Sequence, residues 1–407
     1  MNNMFDYLDW RSDLTFNQVP INEVDMAIFS QLIMIPFSLH IDMPKFGSKD
    51  TITLFELGQL LEKYKEEFMN NIGLIIPPQV VKLSIQMSKA NRYKDLVLSN
   101  YASDICFNKE TQFTAFIIDI TEEERIVVYS GTDDTLAGWK ENFNMMYTYP
   151  TQAQIASVKY LKKVSQDKKL YIVGHSKGGN LSIYSTLNIS KKIFDNIEKV
   201  YSFDAPGISV NLEMDDDIIK RYQKIDGYTP QTSIIGRLFS HKEKDIVVKS
   251  KSKGLYQHDL LSWEIEVDHF KREKSRDNDS IYIENKIATM IEKMNPALRE
   301  EFVEIGYGLL IRTNSQTLSD LNRSKVKLMK QYLNINKEER KILDKTLIEL
   351  FLDKIVAKNL YFVIKETAEV NKTKKKFFKN EKQKTKSITW YILSFLFVFN
   401  NYYLSWI

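Results

Sequence analysis

Residues 170–181 read Leu170-Tyr-Ile-Val-Gly174-His175-Ser176-Lys177-Gly178-Gly-Asn-Leu181, and they carry the strongest structural signal in the chain. An apolar, strand-like run leads into Gly174, and a helical pattern follows the last glycine. Glycines on both sides of Ser176 permit a sharp, strained turn, which lifts the serine hydroxyl to the mouth of a sheet. The stretch predicts a nucleophilic serine on a strand–turn–helix elbow, with His175 as a packing residue. The alternative is an ordinary glycine-rich turn.

Further strand-like runs lie on both sides of this elbow. They are rich in β-branched and aromatic residues and occur at residues 113–120, 125–129, 200–203, 233–235 and 246–248. Helical patterns at 151–164 and 181–187 lie between them. Strands that alternate with helices predict a mostly parallel sheet with helices on both faces. Together with the elbow, this alternation predicts the α/β class and, within it, the α/β-hydrolase fold.

Both ends of the chain show helical patterns. Helical sequence rich in Glu, Lys and Leu runs from about residue 281 to about residue 366, and this C-terminal helical region either packs on the hydrolase domain or stands apart. We expect four segments along the chain. They are a hydrolase domain with an N-terminal helical segment (1–275), a helical region (276–366), a lysine-rich linker (367–387) and an apolar tail (388–407).

The composition is that of a globular chain with a small net charge. Its 407 residues, 43% of them hydrophobic, are enough to bury a core and enclose a site. The formal net charge of +4 does not favour nucleic acid as a partner. Cys106 is the single cysteine, which excludes an intrachain disulfide and a zinc site built from several thiolates. Because the N-terminus shows no signal-peptide pattern, we expect a cytoplasmic protein.

The apolar tail suggests contact with a membrane. Residues 388–407 hold no charged side chain over 20 positions, and eight lysines lie just before them. A helix of that length spans about 30 Å, the thickness of a bilayer core, and lysines are typical of the cytoplasmic flank. Asn400 and Asn401 interrupt the run and leave 388–399 as its strongly apolar part. A C-terminal membrane anchor and a docked or disordered tail both stay open.

A second loop offers donors for an oxyanion. The run at 125–129 ends in Ser130-Gly131-Thr132. In this fold the oxyanion is held by the backbone N–H after the nucleophile and by an N–H from the loop after an early strand. These donors correspond to Lys177 and Thr132, and the Thr132 hydroxyl is a further donor. The alternative for residues 130–132 is a simple loop after a strand.

The base has three candidates among the five histidines. A nucleophilic serine needs a histidine base, and in this fold the order along the chain is serine, acid, histidine. His258 lies just after the strand-like run at 246–248, where the fold has its base, and is the preferred candidate. His241 and His269 are the alternatives.

The acid that orients the base also has three candidates. Asp204 directly ends the strand-like run after the nucleophile helix, so it is expected at the same rim of the sheet as Ser176. Glu243 and Asp245 are the alternatives, since they follow the run at 233–235. An aspartate that only forms a turn with its own backbone is the structural alternative for Asp204.

Two known families resemble this motif layout. In class 3 lipases a strand ends in Arg-Gly-Ser/Thr, and a tryptophan follows a few residues later. The corresponding residues here are Gly131, Thr132 and Trp139, and Ser130 stands in place of the arginine. Over its first two-thirds to three-quarters, the chain is similar to a bacterial Mbeg-like family of lipase-like α/β-hydrolases, known as a domain of unknown function. The matching stretches are 5–11, 13–16, 22–25, 130–132, 174–180, 203–207, 247–250 and 257–259 with Trp263. The resemblance implies the fold and the catalytic residues but no particular substrate.

These patterns together predict a serine hydrolase, esterase- or lipase-like, that cleaves an acyl ester of a small molecule or lipid. Ser176 would attack, His258 would transfer the proton and Asp204 would orient the imidazole. No metal and no organic cofactor is expected. An acyltransferase with the same triad and a non-catalytic scaffold or binding protein on the same fold stay open as alternatives.

Overall fold

A mostly parallel eight-stranded sheet forms the centre of the molecule. The computed structural model of the protein describes residues 3–37 and 51–351. The strands lie across the sheet in sequence order: β1 (Thr51–Thr53), β2 (Val97–Cys106), β3 (Thr111–Asp119), β4 (Glu124–Tyr129), β5 (Lys169–His175), β6 (Ile197–Phe203), β7 (Ile225–Pro230) and β8 (Lys244–Val248). Neighbours from β1 to β4 are antiparallel, and neighbours from β4 to β8 are parallel. A separate antiparallel pair, β9 (Ile265–Glu266) and β10 (His269–Phe270), follows.

The described helices form three groups along the chain. The N-terminal group is α1 (Met4–Arg11), α2 (Glu23–Leu32), α3 (Leu54–Lys63), α4 (Lys65–Asn71) and α5 (Gln79–Lys89). The middle group is α6 (Leu136–Asn144), α7 (Gln152–Val164), α8 (Lys177–Asn188), α9 (Lys191–Phe194) and α10 (Asp216–Tyr222). The C-terminal group is α11 (Asn278–Lys293), α12 (Pro296–Ile311), α13 (Leu318–Arg323), α14 (Lys325–Asn334) and α15 (Lys337–Phe351). The sheet with its helices confirms the predicted α/β class.

The order of the parallel strands puts their connecting helices on one face of the sheet. Right-handed crossovers between strands that advance in a single direction all fall on the same side. Helices α7, α8 and α10 accordingly share one hydrophobic core with the sheet, which includes Val127, Leu161, Ile172, Leu181 and Tyr222. The opposite face of the sheet therefore needs a cover from another part of the chain.

The N-terminal helices provide that cover. All ten residues of α2 are buried, and this helix contacts β4, β5 and β6. At its N-terminus, Glu23 accepts hydrogen bonds from two guanidinium nitrogens of Arg272, each at 2.6 Å. Fully buried Asp25 accepts two more from Arg92, at 2.9 and 2.5 Å. The first pair joins α2 to the segment after β10 and the second joins it to the turn that follows α5, so both charges of α2 are compensated.

The C-terminal helices pack against the loop that follows β4. The backbone N–H of Leu136 donates to the carbonyl of Gln316 at 2.8 Å, and that of Leu318 donates to the carbonyl of Asp134 at 2.9 Å. The Asp134 carboxylate accepts from the backbone N–H and the hydroxyl of Ser319, at 3.1 and 2.6 Å. Of the two arrangements that the sequence left open, the described part of the helical region has the packed one.

The prediction of a strand at residues 233–235 is wrong. That stretch leads into a 3-10 turn at Ile235–Arg237, and the strand beside β6 is β7. The sequence of β7, Ile-Asp-Gly-Tyr-Thr-Pro, contains three residue types that are depleted in strands. All six of its residues are buried between neighbouring strands and packed layers. Tertiary packing therefore overrides the weak local preference of this segment.

The end of the chain lies outside the described residues. This applies to the linker (367–387) and the apolar tail (388–407), so the membrane anchor stays a prediction, as do the four segment boundaries. Within residues 3–37 and 51–351, no helix is long and apolar enough to cross a membrane.

Candidate active site

Ser176 occupies a strained turn between β5 and α8. Its backbone has φ +56° and ψ −126°, a conformation that residues other than glycine rarely adopt. Glycines on either side make the turn sterically feasible. A Cβ at Gly174 would lie 2.1 Å from the carbonyl carbon of Gly178, and a Cβ at Gly178 would lie 2.2 Å from the carbonyl oxygen of Tyr129. The chain here forms a strand–turn–helix elbow with Ser176 at its apex.

Asp204 and His258 form a close pair. Nδ1 of His258 donates to Oδ2 of Asp204 at 2.6 Å. Asp204 directly follows β6 and is 1% exposed, and its Oδ1 accepts a hydrogen bond from the Ser233 hydroxyl at 2.5 Å. Both carboxylate oxygens are thus engaged. The contact fixes the neutral His258 ring in the tautomer whose Nε2 carries no proton.

The alternative acids are bound to other groups. Oε1 of Glu243 accepts a hydrogen bond from Nδ1 of His241 at 2.6 Å. Burial alone would raise the pKa of Glu243, but the hydrogen bond and the charge of His241 lower it. Asp245 lies within β8 and accepts a hydrogen bond from the Thr229 hydroxyl at 3.0 Å. Among the described contacts, neither of these carboxylates reaches His258.

The candidate nucleophile and the candidate base line one cavity. Ser176 and His258 both contribute to its wall, whereas neither His241 nor His269 does. Within the part of the chain that the structure describes, no hydrogen bond joins the Ser176 hydroxyl to the His258 ring. Contacts of this kind are often long without substrate and shorten when substrate binds.

His175, the residue before the elbow serine, contacts His258. Its Nε2 lies 2.9 Å from the backbone carbonyl oxygen of His258, and the centroids of the two rings are 4.6 Å apart. Since a carbonyl oxygen only accepts, Nε2 of His175 carries the proton. Burial and, secondly, the neighbouring His258 lower the pKa of His175 well below its usual value, so the ring is neutral. The sequence indicated only a packing role, because nothing local to residue 175 points to residue 258.

The two residues predicted to hold an oxyanion line the same cavity, one in the loop after β4 and one at the start of α8. Thr132 and Lys177 both line it, and neither backbone N–H donates to another described residue. The Thr132 hydroxyl accepts a hydrogen bond from Nδ2 of Asn142 at 2.7 Å, which leaves its own proton free to donate. Two backbone N–H groups and one hydroxyl are thus free to donate, on residues that line the same cavity as Ser176. Asn142 was missed because a single amide on α6 forms no sequence pattern.

A buried ion pair holds the first residue of α8. The Lys177 ammonium donates to the backbone carbonyl of Gln112 at 2.6 Å, to the side-chain oxygen of Gln112, and to Oε2 of Glu141 at 3.2 Å. The side chains of Lys177 and Glu141 are each 1% exposed. Removal of one partner from a buried pair leaves an uncompensated charge, which is strongly destabilising. The pair therefore fixes the start of the elbow helix against β3 and α6.

The cavity itself has a volume of about 430 Å³, within the range of small-molecule sites. The C-terminal helices contribute much of its wall, for example through Ile287, Phe302 and Leu310. Asp259 also lines it, and burial raises the pKa of Asp259 to about 6, against the opposing effects of the Leu261 N–H and of the adjacent histidine. In residues 3–37 and 51–351, no three His, Cys, Asp or Glu side chains are grouped as metal ligands would be.

The fold and the elbow together define the class of protein. A serine on a strained turn at the carboxyl end of a central parallel strand is the architecture of the α/β-hydrolase fold. Within that class, the chain belongs to the Mbeg1-like family, whose model matches residues 87–308, more than half of its length. The matched region contains Ser176, Asp204 and His258.

The crystal structure of M37 lipase is similar at 15% identity and a TM-score of 0.32, over 63% of this chain and 84% of that chain. No curated protein matches the chain.

Proposed function

We propose that this protein is a serine hydrolase that cleaves an acyl ester, with Ser176 as nucleophile, His258 as general base and Asp204 as the orienting acid. The observation that carries the proposal is the 2.6 Å contact between His258 and Asp204, on a cavity shared with a strained serine. Backbone strain persists only where the surrounding structure enforces it, and it concentrates at functional positions. A histidine held by a buried carboxylate is the arrangement that activates a serine.

In the first half-reaction, the Ser176 oxygen attacks the ester carbonyl carbon, and its proton passes to Nε2 of His258. The carbonyl oxygen becomes an oxyanion that accepts hydrogen bonds from the backbone N–H groups of Thr132 and Lys177. The Thr132 hydroxyl is a third donor, because Asn142 occupies its acceptor side. When the intermediate collapses, the bond to the leaving oxygen breaks and His258 returns the proton to it. An alcohol leaves, and the acyl group stays on the serine.

In the second half-reaction, water takes the place of the alcohol. Its oxygen attacks the acyl carbon while one proton passes to His258, which then protonates the Ser176 oxygen as the carboxylic acid departs. Asp204 stays ionised throughout and stabilises the imidazolium that forms in each half. An alcohol or amine that outcompetes water would make the same residues an acyltransferase.

Hydrolysis of p-nitrophenyl esters by the full chain tests this proposal. We expect saturable release of p-nitrophenol, and a loss of about 10⁴-fold or more in kcat for Ser176→Ala and for His258→Ala. Ser190→Ala is the matched control. It makes the same change at an exposed serine just beyond α8 whose side chain forms no cap hydrogen bond, and it should keep the wild-type rate.

The outcomes separate the alternatives. Hydrolysis that survives in Ser176→Ala would contradict the proposal. A folded wild-type chain that hydrolyses no ester would favour the scaffold. Release of p-nitrophenol that rises with an added alcohol, with an ester and no free acid as product, would identify an acyltransferase.

A further inference from the structure

Four C-terminal helices, α11, α12, α14 and α15, supply apolar residues to the wall of the cavity beside Ser176. Their contributions include Ile287, Met290, Phe302, Leu328 and Leu347. Among the described residues, these helices add no charged side chain to the lining. A polar group against such a wall would lose its hydrogen bonds to water, whereas each buried methylene is favourable. The wall therefore favours a hydrocarbon part of a ligand.

We propose that the C-terminal helical region binds one long acyl chain of the ester substrate and that the missing side chain at Gly306 leaves space for this chain. The substrate class is then a long-chain acyl ester. The inference rests on the proposed hydrolase function, since it assigns the acyl part of the ester that Ser176 attacks. A volume of about 430 Å³ is near the low end of the roughly 300–1,000 Å³ typical of ligand sites, which fits one chain better than the three of a triacylglycerol.

The helical wall has a fixed position relative to the reacting groups. Lys140 on α6 is fully buried and forms an ion pair with Glu304 on α12, two residues before Gly306. The Asp134 carboxylate in the loop after β4 holds Ser319 at the start of α13. An acyl carbon bonded to Ser176 would lie among the polar groups of the site, and the rest of its chain would have the apolar wall to follow.

Gly306 and Gly308 lie on the same turn of α12 but differ in their relation to the cavity. Gly306 lines it, and Gly308 does not. A Cβ at either position would meet no atom within 4 Å. A larger side chain at Gly306 would take cavity volume, whereas one at Gly308 would leave that volume unchanged. A comparison of the same substitution at the two positions therefore distinguishes a loss of acyl-chain space from the general effect of replacing a helical glycine.

The test compares the full-length wild type with Gly306→Leu and Gly308→Leu on p-nitrophenyl esters from butanoate to hexadecanoate. We expect the wild type to have a kcat/KM for dodecanoate more than tenfold above that for butanoate. In Gly306→Leu this ratio should fall at least tenfold, and about 60-fold if three methylenes lose their contacts, at roughly fourfold each. Gly308→Leu should keep the wild-type ratio. Thermal unfolding shows whether each variant is folded, and Gly306→Ala replaces Gly306→Leu if the latter is not.

Calorimetric binding of dodecanoate provides a second readout that requires no catalysis. We expect the wild type and Gly308→Leu to bind dodecanoate more tightly than hexanoate, and Gly306→Leu to lose most of this difference. If dodecanoate binding depends on residue 306 but no ester is hydrolysed, the proposed hydrolase function is wrong and the acyl-chain site stands. If esters are hydrolysed but neither readout distinguishes Gly306→Leu from Gly308→Leu, the acyl-chain site is wrong and the hydrolase function stands.

Discussion

Nδ1 of His258 lies 2.6 Å from Oδ2 of Asp204, although 54 residues separate them in the chain. Asp204 follows β6, and His258 ends a 3-10 turn after β8. The second carboxylate oxygen is held by Ser233 at 2.5 Å, so the acid is fixed on both sides. A contact of this kind determines which nitrogen of the imidazole is left to accept a proton.

Replacement of Asp204 by Asn should keep the fold and lower kcat by about 10⁴-fold. The amide can stabilise the wrong tautomer of His258, as the same change does in serine proteases, a system from which this magnitude is taken. The matched controls are Glu243→Gln and Asp245→Asn, which alter the other two candidate acids and should keep nearly the wild-type kcat. Ester hydrolysis by the three purified variants is the measurement. If Asp204→Asn keeps near-normal turnover while Glu243→Gln or Asp245→Asn is inactive, the residue altered in the inactive variant is the acid.

His175 should act as a positioning residue for the base. His175→Phe keeps a ring but removes the donor to the His258 carbonyl, which leaves a part-buried carbonyl without that partner. We expect kcat to fall about tenfold, the equivalent of about 1.4 kcal/mol, with little change in KM. His175→Gln retains an amide donor and should recover part of the rate. Equal losses in the two variants would mean that only the packing of the ring matters.

The stability of the protein should depend on pH through Asp259. Its pKa is about 6 in the folded chain against 3.8 for an unperturbed Asp, so the folded state binds more protons between these values. Stability contributed by the protonated form is therefore present below about pH 4 and is lost as the pH rises through about 6. The free energy of unfolding contributed by Asp259 falls by about 3 kcal/mol over this pH range.

Chemical unfolding of the wild type and of Asp259→Asn from pH 4 to pH 7.5 measures this effect. Relative to the wild type, the Asn variant should gain stability as the pH rises, because its amide does not titrate. Any constant cost of the amide cancels in this comparison. Asp104→Asn, at an exposed position in β2, is the control and should show no such trend. A pH-independent difference between Asp259→Asn and the wild type would contradict the assignment.

Much of the site could be expected from the sequence because its signals are local. The elbow needs glycines within two residues of Ser176, and Asp204 immediately follows a recognisable strand. The contacts that support the site residues could not be predicted from such local signals. Ser233 and Asn142 each act on a partner at least 10 residues away, and no periodicity links such pairs.

The same distinction holds for the fold. The periodicity of the C-terminal segment predicts helices, but an amphipathic pattern does not identify the surface on which a helix packs. The contacts of Asp134 with Leu318 and Ser319 arise only after the chain folds back over more than 180 residues. Strand β7 was missed because its Asp, Gly and Pro residues do not favour strands. In the folded chain, packing between two neighbouring strands outweighs this weak local preference.

Covalent labelling by a fluorophosphonate, mapped by mass spectrometry, tests the assignment of the nucleophile most directly. We expect one adduct per wild-type chain, on Ser176, and slower labelling in His258→Ala, since the hydroxyl then lacks its base. Ser176→Ala should unfold at the wild-type temperature and take up no label, and Ser190→Ala should label like the wild type. An adduct on another residue, or a folded wild-type chain that stays unlabelled, would contradict the assignment of Ser176 as the nucleophile.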